Sequence, residues 1–167
     1  GDFEQLYLFG QPRTTGHYKN GQKDGTWVQI AESGDTLHIT TYRDGNEEGL
    51  QVRFDRETGS RLKEYYKMNN RYDGLYREYD PSTGELVYEA TYEFGRLNGR
   101  ARSLVRDNRF DYWETSTYVN GRQTGPFESR YVKNDKVRET GTYRNGHRTG
   151  RWKRYDINGK LEMEWEE

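Results

Sequence analysis

The sequence predicts an all-β fold, an elongated, twisted antiparallel sheet of about six β-hairpin repeats and about 12–14 strands. Three observations carry this. A Tyr-x-x-Gly-x-x-x-Gly signal returns about every 25 residues along the chain. A second turn signal falls between successive copies of it. Aromatic residues make up 15% of the chain, with 15 Tyr, and Gly outnumbers Pro by 19 to 3. That last balance decides against disorder, which 33% charged and only 30% hydrophobic residues would otherwise suggest, because strands favour aromatics and disordered chains lack them.

The units run in order. Tyr18, Gly21 and Gly25 open the series, followed by Tyr42, Gly45 and Gly49. The third unit is read as Tyr66, Asn69 and Gly74, with one inserted residue and Asn in place of the first Gly. Then come Tyr92, Gly95 and Gly99; Tyr118, Gly121 and Gly125; and Tyr143, Gly146 and Gly150. The second glycines are 24, 25, 25, 26 and 25 residues apart, a regularity that chance does not give. Asn-Gly or Asp-Gly after a strand-like run is a tight-hairpin signal, because both turn residues need positive φ. Asn is the next most tolerant residue after Gly, so Asn69 marks a demand for backbone geometry. The paired glycines are read together as the hairpin turn.

Outer turns are expected at Glu32–Gly34, Glu57–Gly59, Ser82–Gly84, Asn134–Asp135 and Ile157–Gly159. Steps of two back from the repeat tyrosine define one sheet face, as in Val137, Glu139, Gly141 and Tyr143, or Leu86, Tyr88, Ala90 and Tyr92. Two residues before the tyrosine stands a small side chain (Gly16, Thr40, Ala90, Ser116, Gly141), with Glu64 the exception. A small residue there leaves room for a ring from the neighbouring strand. Capping strands are expected at both ends. One lies over Phe3 to Phe9; the other sets Leu161, Met163 and Trp165 against Glu162, Glu164 and Glu166. The whole, residues 1–167, is read as a single repeat domain.

These units resemble the MORN repeats, and more closely the bacterial variant found in YwqK-type "antitoxin" proteins. The resemblance covers roughly Gly16 to Lys160. It implies a non-catalytic scaffold that binds a protein partner, antitoxin- or immunity-like, with lipid headgroups as a further partner class. It brings no catalytic residues. The period of the classical MORN unit is shorter, so the resemblance concerns the hairpin above all.

The residues themselves offer little catalytic chemistry. With no cysteine, thiolate nucleophiles, thiolate metal sites and disulfides are excluded. His17, His38 and His147 lack the spacing of a metal site or a nucleophile–base pair. Asp156-Ile-Asn158-Gly159 is similar to the opening of a calcium loop but lacks its later ligands, so a turn is expected there. No metal or cofactor is expected. A formal charge of −1 argues against general binding to nucleic acid. No apolar run approaches the roughly 18 residues of a membrane-spanning helix. Because the sequence opens on Gly1 and not Met, removal of an upstream export signal is one expectation and a cytoplasmic location the other.

Recognition is therefore sought where the repeats differ. Trp113 stands five before Tyr118 and should face away from it, Tyr72 falls in the inserted region, and Phe94 holds a turn position normally Asn or Asp. Exposed aromatics on a rigid sheet suit protein hot spots or, as the alternative, stacking on a cell-envelope glycan. Arg96, Arg100, Arg102, Arg106 and Arg109 form a basic run in the fourth repeat, either a solvated strand face or a patch for an acidic partner or lipid headgroup.

Overall fold

A computed structural model describes Gly1–Glu167. Every element is a strand. The first seven are β1 (Asp2–Leu6), β2 (Pro12–Lys19), β3 (Gln22–Ile30), β4 (Thr36–Arg43), β5 (Asn46–Phe54), β6 (Arg61–Met68) and β7 (Arg71–Tyr79). The rest are β8 (Leu86–Glu93), β9 (Arg96–Val105), β10 (Tyr112–Val119), β11 (Arg122–Tyr131), β12 (Val137–Arg144), β13 (His147–Tyr155) and β14 (Leu161–Glu166). Contacts group into two compact units, Gly1–Leu86 and Val87–Glu167. In the first, β1 to β7 each pair antiparallel with the next in chain order. In the second, β8 to β14 do the same. The all-β hairpin architecture follows the sequence.

The turn chemistry accounts for the register. Lys19 of β2 pairs with Gln22 of β3 across a two-residue turn, Asn20-Gly21, with φ of 51° and 77°. Positive φ at both positions is the type I′ geometry, whose twist matches that of the flanking strands. Successive turns are tied together. The Gly45 N–H donates to the Lys23 carbonyl at 2.8 Å, Asn70 to Glu47 at 3.1 Å, Gly121 to Leu97 at 2.7 Å and Gly146 to Gln123 at 2.8 Å.

The second glycine has a different task from the one expected. It lies inside the following strand and not in the turn. Thr40 pairs with Gln51 and Tyr42 with Glu47, so Thr41 alone on β4 faces Glu48, Gly49 and Leu50 on β5. Gly49 takes φ 96° within this bulge, a value that a side chain rarely adopts mid-strand. The bulge shifts the register so that the residue two places on, Trp27 in the first repeat, lands over the small residue of the preceding strand.

That packing is tight. A Cβ built on Gly16 would stand 2.2 Å from the Trp27 ring, and one on Gly141 2.1 Å from Trp152. Trp27, Tyr65 and Tyr76 in the first unit, and Phe127 and Trp152 in the second, are buried in the corresponding row of each. A hairpin alone is marginal in water, and each buried ring contributes roughly 1.5–3 kcal/mol, so the row is the core.

The third repeat departs from its sequence reading. Met68 pairs with Arg71 and Lys67 with Tyr72, across an Asn69-Asn70 turn with φ of 49° and 64°. Asn70, not Asn69, holds the glycine position, no residue is inserted, and Lys67 stands where the other repeats have tyrosine. Tyr66 is 45% exposed, whereas Tyr65 is 6% exposed and fills the small-residue position in place of the expected Glu64. The ring has crossed the hairpin to Tyr72, which meets Tyr65 edge-on at 5.1 Å.

Three outer turns close on an aspartate, Asp55, Asp80 or Asp156. Asp55 Oδ1 accepts from the Glu57 and Thr58 N–H groups and the Thr58 hydroxyl. Asp156 Oδ1 accepts from the Asn158 and Lys160 N–H groups at 2.9 and 2.8 Å, which makes it a turn residue.

Candidate functional site

The face that carries the repeat tyrosines has two parallel rows, the aromatic core row and a polar one beside it. In the first unit Gln5, Thr14, Gln29, His38, Arg53, Lys63 and Glu78 are cross-strand partners in succession. In the second the succession is Tyr88, Ser103, Glu114, Ser129, Glu139, Arg154 and Met163. These residues stand two steps beyond the small-residue position on the same face, which the alternation of a strand requires.

Glu139 is the most enclosed charge of this row, its side chain 2% exposed. Arg154 holds it through Nε at 3.0 Å and a terminal nitrogen at 2.7 Å, Arg148 stands 3.1 Å away and Arg138 3.7 Å. A carboxylate taken out of water needs such partners, and removing one would leave charge uncompensated. Glu114 lies across Ser129 from it. Burial raises the Glu114 carboxyl above its usual range; Arg138 draws it back, Glu139 pushes it further and Arg148 again lowers it. The Ser129 hydroxyl, fully buried between these two acids in the register, has no hydrogen-bond partner. In the first unit, burial and the Arg53 charge lower the His38 imidazole, favouring its neutral form.

Cations of the chain's own sit on the rings of this face. Lys23 Nζ lies 4.3 Å from the Trp27 ring centre and 5.0 Å from that of Tyr42. Lys67 stands 5.5 Å from Tyr72 and 5.9 Å from Tyr65, and also pairs with Glu47. Arg148 lies 4.1 Å from Trp152. Open depressions occur beside these cages. One of about 240 Å³ lies among Thr14, Trp27, His38 and Tyr42, and one of about 330 Å³ among Tyr88, Glu114, Tyr118 and Tyr143.

Of the residues singled out from sequence, Tyr72 lies on this face and Trp113, Arg100 and Arg102 on the other. Trp113 lies opposite Leu104 and Arg130, on the face away from Tyr118. Its ring is covered by the Arg102 guanidinium at 4.8 Å, and Arg102 Nε stands 3.2 Å from Glu89. Arg100 shares that face, its guanidinium 3.5 Å from the Thr115 hydroxyl. Arg106 lies in the loop after β9, 3.6 Å from Asp111. The structure thus brings Trp113, Arg100 and Arg102 onto one face and leaves Arg106 out of it. Tyr72 is a packing ring of the third repeat, T-shaped on Tyr76 as well, and not an extra aromatic. Phe94 is 68% exposed at the β8–β9 turn with φ 48°, a strained conformation for a bulky residue.

Sequence reasoning passed over Glu114, Glu139, Arg148 and Arg154. The signal was present. Glu114 and Glu139 each stand four residues before a repeat tyrosine, on its own face, where a carboxylate needs a partner. Compared with protein-family models the chain matches none, and no curated protein matches it.

Proposed function

We propose that this chain is a non-catalytic, MORN-like repeat scaffold that binds a protein partner through its tyrosine-bearing face, in an antitoxin- or immunity-like role. One observation carries the reading. On that face Tyr18, Tyr42 and Tyr72 of the first unit and Tyr88, Tyr118 and Tyr143 of the second are only half-buried, and Tyr42, Tyr88, Tyr118 and Tyr143 line open depressions together with charged side chains. Tyr, Trp and Arg are the residues that carry binding energy at protein interfaces, where rigid rings bury area at little entropic cost. The opposite face supports recognition less, because Arg102 already covers Trp113 and is paired with Glu89.

The test is capture of a partner from extracts of the native host, its identity read by mass spectrometry. Tyr42→Ser and Tyr143→Ser, with folding checked by circular dichroism, are expected to lose the partner, whereas Arg100→Ser on the other face keeps it. A partner lost with Arg100→Ser and kept by both tyrosine variants would move the interface to the other side and sink the proposal.

A further inference from the structure

One position in each repeat lies directly across the hairpin from the repeat tyrosine or, in the third, from Lys67. It is Lys23, Glu47, Tyr72, Leu97, Gln123 and Arg148 in turn. In the first and sixth repeats this residue is a cation laid on the ring that follows the second glycine, and in the third the exchanged Lys67 lies instead on Tyr72 and Tyr65. The fifth repeat has the rings without the cation. Phe127 meets Tyr143 at 5.8 Å and 74°, as Trp27 meets Tyr42 at 6.2 Å and 77°. Yet Gln123 is neutral, and its amide donates to the Ser116 hydroxyl at 2.8 Å. The depression of about 330 Å³ opens there, with Tyr118, Phe127, Tyr143 and Glu114 in its wall.

We propose that the fifth-repeat cage takes an ammonium group from outside the chain, the side chain of a lysine on the protein partner. This rests on the scaffold reading above and names what that partner presents. Aromatic faces attract a cation, most strongly where water is excluded. Glu114 supplies the counter-charge: burial disfavours its ionised form, Arg138 and Arg148 partly restore it, and an ammonium bound beside it would favour it further. Arg148 also reaches the wall, but its guanidinium is committed to Trp152 at 4.1 Å and to Glu139 at 3.1 Å. Arg102 also lines the depression, but its guanidinium is committed to Trp113 at 4.8 Å and to Glu89 at 3.2 Å; Arg138 and Glu139, whose charges act on Glu114, pair at 3.7 Å.

The experiment titrates the full chain with Nα-acetyl-lysine methylamide and follows the aromatic side-chain NMR signals. Acetyl-norleucine methylamide, which lacks the charge, and methyl glucoside serve as comparators. Saturable shifts at Tyr118, Phe127 and Tyr143 are expected with the lysine derivative alone. Gln123→Lys, which copies Lys23 and fills the cage from within, should abolish them, and Glu114→Gln should weaken binding about tenfold. Equal response to norleucine, unchanged binding by Gln123→Lys, or saturation by the glucoside with the lysine derivative silent would each overturn the proposal. A captured partner that survives Gln123→Lys would overturn it while leaving the scaffold reading standing. Failure to capture any partner would remove the scaffold reading while cage binding of the lysine derivative stood.

Discussion

A methyl group added at Gly141 would fall on the Trp152 ring, which is fully buried and has no room to retreat. Gly141→Ala is therefore expected to destabilise the chain by about 1–3 kcal/mol, the usual cost of overpacking, read from urea denaturation. Gly146→Ala, at a turn where an added Cβ meets nothing, should lose less and only through its φ of 87°. At Glu114 the expectation concerns pH. Its folded carboxyl titrates above the ordinary glutamate value because burial disfavours the charge. Its contribution to stability is complete below the unfolded value and is lost as pH rises through the folded one. Thermal melts of Glu114→Gln should lack that decline, and the variant should gain on the parent between mildly acidic and neutral pH. A parent-like slope in the variant would assign the decline to another group.

At the level of the hairpin, much was legible. Asn-Gly pairs, the spacing of the second glycines and the small residue before tyrosine all state local backbone demands, and local demands are written in adjacent residues. The third repeat was misread because two tyrosines and two asparagines stand side by side, so that a shift of one residue satisfies the same pattern. What fixed the true frame is a cross-strand contact, the exchange of ring and cation between Lys67 and Tyr72. The same cause hid the polar row, since Glu114, Ser129 and Glu139 meet only once the register of three strands is known. Lys67→Tyr and Tyr72→Lys should each destabilise alone, while the double variant, which restores the order of Tyr18 and Lys23, recovers about 1 kcal/mol in a double-mutant cycle. Additive losses would show that the two residues act independently.

Across the molecule, each unit is held by pairings between strands adjacent in the chain, so order can spread from any hairpin to the next. An arrangement of this kind depends on what covers its outermost strands. Trp165 of β14 stacks on Trp152 at 6.1 Å, and Glu164 pairs with Arg151 at 3.1 Å. Removal of residues 161–167 should bare the Trp152 ring and one edge of β13. We expect concentration-dependent self-association of the shortened chain by sedimentation velocity, relative to the parent. An unchanged sedimentation profile would show that the strand protects nothing.

The hydrogen bonds that join successive turns bear on how this chain can vary. The carbonyls they use belong to Lys23, Glu47, Leu97 and Gln123, the residues that face the repeat tyrosines. Their main chains are fastened alike whether the side chain is basic, acidic, aliphatic or an amide. Six different amino acids occupy this one place in six repeats. In those four repeats the tie reads only the backbone, so the side chain is a free letter, and new recognition could be spelled there by changing it without breaking the tie.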